Sequence, residues 1–270
     1  MRSSNAPPPI LRDKDADEPS VFLPEHLLRE ARRQRDIVDG KIPRVCLLDP
    51  DGDLRAFLVD SGRAVRSETW ACYHTDLFEF TNDGIEFGIV GCAVGASFAV
   101  LVAEEMFVSG CELLLSVTSS GRLAPVGAPP YFVLIDEALR DEGTSYHYLP
   151  PSETSRADPS LVARAEAALR TTGLSVLRGA TWTTDAPFRE TESLISARSA
   201  EGFLAVEMEA AALYAFAQAR GRAVLCFAHV TNQMARIEGD FEKGAHGGAI
   251  EALALVTATA RACLPPPVGV

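Results

Sequence analysis

The chain has 270 residues, 47% of them apolar, which is enough to bury a sizeable core in one large α/β domain or two small ones. A formal charge of −12 argues against binding to nucleic-acid backbones, because that affinity rests on concentrated positive charge. No apolar run approaches the ~18 residues of a membrane span, and no basic segment followed by an apolar one opens the chain, so the expectation is a cytoplasmic protein without membrane contact.

In chain order, MRSSNAPPPILRDKDADEPS combines a proline run with dense charge and predicts a disordered or loosely packed tail over residues 1–22, with the domain occupying 23–270. Leu27, Leu28, Ala31 and Ile37 recur near helical spacing and predict a helix over 25–38. From Arg44, VCLLDP and AFLV read as short strands separated by the turn-forming DPDGD. Apolar strand-like runs and helical runs then alternate: EFGIVGCA and FAVLVAEEMF, ELLLSVTS, YFVLIDEAL, LVARAEAALRTTG, LSVLRGATWTT, GFLAVEM into EAAALYAFAQARG, RAVLCFAHVTN, and AIEALALVTATARA. Alternation of this kind predicts a single α/β domain, three-layered, with helices on both faces of a mixed, mainly parallel central sheet. Cys46, Cys72, Cys92, Cys111, Cys226 and Cys263 lie far apart without metal-ligand spacing, so buried reduced thiols and no metal site are expected.

Ligands of such folds bind beyond the C-terminal ends of the strands, which directs attention to three loops. GCAVGAS, residues 91–97, hands a strand to a helix, and its exposed N–H groups suit an anion; a tight structural turn explains it as well. It is neither GxGxxG nor a Walker loop, so dinucleotides and nucleoside triphosphates lose their best support. SVTSSG, 116–121, follows the apolar ELLL and offers hydroxyls to a phosphate or a sugar, as a plain turn also would. AVEMEAAALYAFAQARG, 205–221, carries Glu207 and Glu209 at the entrance of an alanine-rich helix that stops at Gly221. Carboxylates at a helix start complement its dipole, but that alone does not require Glu-Met-Glu.

Glu207-Met208-Glu209 before AAALYAFA resembles the hallmark of the nucleoside phosphorylase and nucleosidase superfamily, typified by uridine and purine nucleoside phosphorylases. GCAVGAS with its helix ending in EEM, SVTSSGRLAP, DEALRDEGTSYHY, TTDAPFRE and HVTN follow the family's landmarks in order across roughly residues 84 to 260. The resemblance implies a phosphorylase-like fold and cleavage of the N-glycosidic bond of a nucleoside by inorganic phosphate, with no other cofactor. It assigns the ribose to Glu207, Met208, Glu209 and His74, with Glu209 accepting from the 2′ and 3′ hydroxyls and Met208 beneath the sugar. A carboxylate's two oxygens suit a vicinal diol, and negative charge beside the sugar favours an oxocarbenium-like transition state. The leaving base falls to Asn232, where purine enzymes have an Asp; an amide donates a hydrogen bond without delivering a proton, which tilts the expectation toward a pyrimidine-type base. Phe188, Arg189 and Gln233 are the expected base contacts.

Phosphate falls to Gly95, Ser119 and Arg55. The family's usual Arg three residues before the phosphate-binding hydroxyl is Ser116 here, and its Gly-Asp-Pro-x-Arg loop is echoed only by DPDGDLR. Losing a bidentate arginine weakens the phosphate site, so phosphate-independent hydrolysis is the alternative and a non-catalytic nucleoside-binding protein the second. Family sites borrow residues from a neighbour in the region of His74, Arg63 and Arg66, which implies a homo-oligomer: dimer, trimer or hexamer.

Overall fold

The computed structural model describes residues 7–234 and 238–264. Residues 7–22 hold one 3-10 turn, Pro9–Leu11, and are largely exposed, although Lys14 Nζ lies 2.7 Å from Nδ1 of His147. The predicted first helix is α1 (Pro24–Arg35), whose Leu28 and Ala31 pack with Ala71.

VCLLD forms β1 (Val45–Asp49), buried at every position because β4 (Ile85–Gly91) and β5 (Leu113–Arg122) run parallel to it on either side. AFLV, expected as a strand, lies instead inside α2 (Asp53–Asp60). A turn at Gly52 precedes that helix, Asp53 sits in its first turn, and Leu54 and Leu58, four residues apart, are buried. That period of four overrides a four-residue apolar run, which by itself cannot separate strand from helix.

The antiparallel β2 (Val65–Arg66) and β3 (Phe78–Asn82) extend the sheet beyond β4, which leads through the glycine loop into α3 (Ala96–Val108). After β5 come β6 (Tyr131–Asp141), β7 (Thr154–Arg156), α4 (Pro159–Leu169), β8 (Val176–Thr184), α5 (Glu192–Ala200), β9 (Ala205–Glu207), α6 (Ala210–Arg220), β10 (Ala223–Asn232) and α7 (Ala249–Cys263). Among the described residues these strands make one mixed sheet in the order β10-β6-β8-β9-β5-β1-β4-β3-β2, with β7 on β6. The single α/β domain with a mixed central sheet is therefore as the alternation predicts. β10 also pairs with β5, so β5, β10, β6, β8 and β9 close into a ring. That closure positions the site, because Gly121 at the end of β5 pairs with both Asn232 of β10 and Val206 of β9. Three strand ends carrying three of the motifs thus converge. Among the described residues no helix is long and apolar enough to cross a membrane.

Candidate active site

The site grows from the β9–α6 junction. Ala210 through Ala217 are all buried, so α6 is a core helix apolar on every side, and Gly221 ends it in the left-handed conformation. A helix so placed directs its N-terminus at the strand ends. Glu207 closes β9 and accepts four hydrogen bonds: Thr181 Oγ1 at 3.1 Å and Thr183 Oγ1 at 2.5 Å on one oxygen, the N–H groups of Glu209 and Ala210 at 2.7 Å on the other. Its oxygens are thereby committed to holding the turn. Glu209, at the N-cap position and 1% exposed, reaches across to the glycine loop, where Gly95 N–H donates to Oε1 at 2.7 Å. Gly95 has φ of 92°, a conformation that favours glycine, and it starts α3. The N–H of Met208 approaches the second oxygen at 3.3 Å.

Burial raises both carboxyls. Glu209 feels Glu207's charge as well and is pushed up to about 8, against the opposing hydrogen bonds of Gly95, Thr118 and Met208; Glu207's rise is opposed by its four donors. Burial also raises Asp49 and Glu190 to about 7. Each of these folded values lies above the ordinary carboxylate range, so the fold binds protons that the unfolded chain releases. The stability so gained is complete below about pH 4.5 and is lost as pH rises through 7 to 8. His229 works in the opposite direction: burial, then Lys243, lowers it to about 4, so stability falls as pH drops from 6.5 toward 4. The raised carboxyls outnumber the one lowered imidazole, so the expected thermal midpoint at constant ionic strength falls as pH rises from 6 to about 8. A midpoint that climbs over pH 6–9 contradicts these assignments.

Asn232 lies at the other side of the convergence, 7% exposed, donating from Nδ2 to Thr231 Oγ1 at 3.3 Å while its Oδ1 accepts from Met234 N–H at 2.9 Å. Gln233 Oε1 accepts a short hydrogen bond from Arg122 at the end of β5, and Gln233 N–H donates to Asp240 at 2.8 Å. Arg122, not singled out in the sequence, also binds Gly127 O at 2.8 Å, so it orients Gln233 beside Asn232.

The end that the family resemblance assigns to the acceptor is built from β1, α2 and the end of β5. Arg55 in the first turns of α2 lies along Gly91, where a Cβ would come within 2.7 Å of Nε, so only glycine leaves it room. Its Nε is buried without a hydrogen-bond partner, and Nη2 lies 3.7 Å from Cys92 Sγ. Ser119 Oγ is 2.8 Å from Thr231 Oγ1, whereas Ser119 N–H donates to Asp51 Oδ2 at 2.6 Å. Lys243 pairs with Asp53 at 2.5 Å and with Asp51 at 3.4 Å. Asp51 and Lys243 escaped the sequence reading because DPDGD carries a turn signal that hides its chemistry and Lys243 lies in no strand or helix. Ser116, in the arginine position, is a buried strand residue 1% exposed whose hydroxyl finds no partner.

The structure therefore gathers Glu207, Met208, Glu209, Gly95, Asn232, Gln233 and Ser119 around the converging strand ends, with Arg55 on α2 beside the ends of β1 and β4. It does not gather the rest. His74 is exposed in the loop between β2 and β3, and Phe188, 99% exposed, stands with Arg189 on the 3-10 turn Pro187–Arg189. A groove of about 660 Å³ is elsewhere again, at the opposite end of β10 among Arg156, Arg164, Arg222 and Val224. That groove is lined by the C-terminal end of α6, at Ala217, Gln218 and Gly221, and not by Gly95, Ser119, Glu207, Glu209 or Asn232, so the converging chemistry lies outside it.

The family model of the phosphorylase superfamily matches residues 48–262, and the chain belongs to that superfamily. Among solved structures it is similar to uridine phosphorylase from Vibrio fischeri ES114, with a TM-score of 0.68, 21% identity, and coverage of 84% of this chain and 95% of that one.

Proposed function

We propose that this chain cleaves the N-glycosidic bond of a nucleoside and passes the pentosyl group to inorganic phosphate. The observation that carries the reading is Glu209, a buried carboxyl held by Gly95 at the meeting of β5, β9 and β10. Ionised, it offers two acceptors to a vicinal diol and negative charge to an oxocarbenium-like sugar. The base lies toward Asn232 and Gln233, whose amide groups fix its orientation and donate to the leaving nitrogen or a ring carbonyl, a pyrimidine-type pattern. Arg55, its Nε without a partner against the glycine loop, supports phosphate as the acceptor. The similarity to a uridine phosphorylase points the same way. Hydrolysis is the second reading, favoured by the carboxylate of Asp51 on Ser119 N–H.

Phe188 at the exposed turn, with His74, Arg63 and Arg66 on the β2 side, supports a homo-oligomer in which neighbouring copies close each site. The test is a panel of nucleosides incubated with and without phosphate, on a preparation whose assembly is measured by sedimentation. Pentose 1-phosphate and free base, formed at a rate that rises with phosphate, are expected; cleavage of none of the panel overturns the reading, and free pentose as the only pentose product regardless of phosphate replaces it with hydrolysis.

A further inference from the structure

An anion entering beside Ser119 needs the N–H groups and cations there, and one such donor is already engaged by the protein's own charge. Ser119 N–H donates to Asp51 Oδ2 at 2.6 Å, at the point where the family resemblance puts the phosphate-binding hydroxyl. Asp51 is kept in place from its other side, with Lys243 3.4 Å from its Oδ1. Lys243 is in turn drawn to Asp53 at 2.5 Å, so the cation nearest the acceptor end is neutralised twice over. Asp49 stands behind them, its carboxyl accepting from Arg55 N–H at 2.8 Å. A phosphate dianion would meet the carboxylates of Asp51 and Asp53 there, and water would not be repelled.

We propose that Asp51 sets the choice of acceptor: its carboxylate occupies the Ser119 donor and holds phosphate off, so that phosphate enters only by displacing it while water enters freely. This rests on the glycosidic-cleavage reading above. In either branch the C1′–N bond breaks with its electron pair leaving on the base. With phosphate, a phosphate oxygen forms the new C1′–O bond and the phosphate proton ends on the base. With water, the water oxygen forms that bond, one proton stays as the new hydroxyl and the other passes through the Asp51 carboxylate to the base. Asp51 thus acts oppositely in the two branches, obstructing one and serving the other.

The experiment compares wild type with Asp51→Ala, Asp51→Asn and Asp53→Ala. Asp51 is exposed on a loop, and an unchanged thermal midpoint verifies the fold of each variant. Inorganic phosphate affinity is measured by calorimetry, and the ratio of pentose 1-phosphate to free pentose is measured at one fixed phosphate concentration. Freeing a charge-assisted donor and removing a like charge should tighten phosphate roughly tenfold or more in Asp51→Ala. The product ratio should shift toward pentose 1-phosphate by a similar factor. Asp51→Asn, which keeps the acceptor oxygen without the charge, should lie between the two. Asp53→Ala, which touches Lys243 and not Ser119, should change affinity by less than about threefold. Unchanged or weaker phosphate binding in a folded Asp51→Ala overturns the inference, as does an unchanged product ratio. If no variant cleaves any nucleoside and Asp51→Ala still binds phosphate more tightly, the anion-subsite inference stands and the glycosidic reading falls.

Discussion

Glu209→Gln is expected to lower kcat/KM for a ribonucleoside by roughly a hundredfold to a thousandfold, and for the matching 2′-deoxyribonucleoside by about tenfold or less. The amide keeps one acceptor for Gly95 N–H and loses the charge and the second acceptor, so the loss is greatest where the diol is complete. The fold should survive, because the wild-type carboxyl, pushed up to about 8, is largely protonated at neutral pH and the amide resembles that form. The same substitution removes a titration: wild-type kcat/KM should rise with pH through about 8 as Glu209 ionises, and the variant's profile should be flat there. Steady-state kinetics on both sugars from pH 6 to 9 decides the matter. Equal losses on the two sugars, with the pH rise retained, contradict the role given to Glu209.

Glu207→Ala should act on the fold more than on the sugar. Removing that carboxylate strands the hydroxyls of Thr181 and Thr183 and the N–H groups of Glu209 and Ala210, all buried. Unmatched buried donors make this costly, about 3–5 kcal/mol, or a drop in thermal midpoint on the order of 10 °C. Activity falls with it, because the turn that aims Glu209 loses its anchor. Thermal unfolding and kinetics on the same preparation separate this from direct contact with ribose: an unchanged midpoint with lost activity would return Glu207 to the sugar.

The adjacency of these two glutamates explains why the sequence shows the motif without dividing its labour. Alternating side chains along β9 put Val206 on one face of the sheet with Leu123 and Trp182 and leave Glu207 on the other to the hydroxyls of β8, a contact between residues more than twenty positions apart. Spacing within the motif says nothing about Thr181 or Thr183. The strand–helix alternation, by contrast, is local and strong, and it is legible from VCLLD through AIEALALVTATARA except in AFLV, where the turn at Gly52 and the pair Leu54 and Leu58 decide for a helix. Sequence also left the ring unseen, because the pairing of β5 with β10 joins residues about 110 apart. That pairing makes a site of SVTSSG and HVTN.

The acceptor end was the least legible part. DPDGD has the composition of a turn and forms one, and the consequence of Asp51 reaching Ser119 depends on β1 and β5 being neighbours. Arg55 was legible only as an echo of a family loop; its burial along Gly91 and its lone Nε come from packing. Phe188 and Arg189 carry a pattern suited to a flat base and yet stand in solvent, as residues do when the wall they complete belongs to another copy or to a loop in another position.

A crystal structure with a non-hydrolysable ribonucleoside analogue tests the central claim most directly. The account predicts the 2′ and 3′ oxygens within about 3 Å of the Glu209 carboxylate, Met208 beneath the sugar and the base toward Asn232 and Gln233. An analogue seated in the groove of about 660 Å³ beside Arg156 and Arg222, with Glu209 untouched, would contradict it.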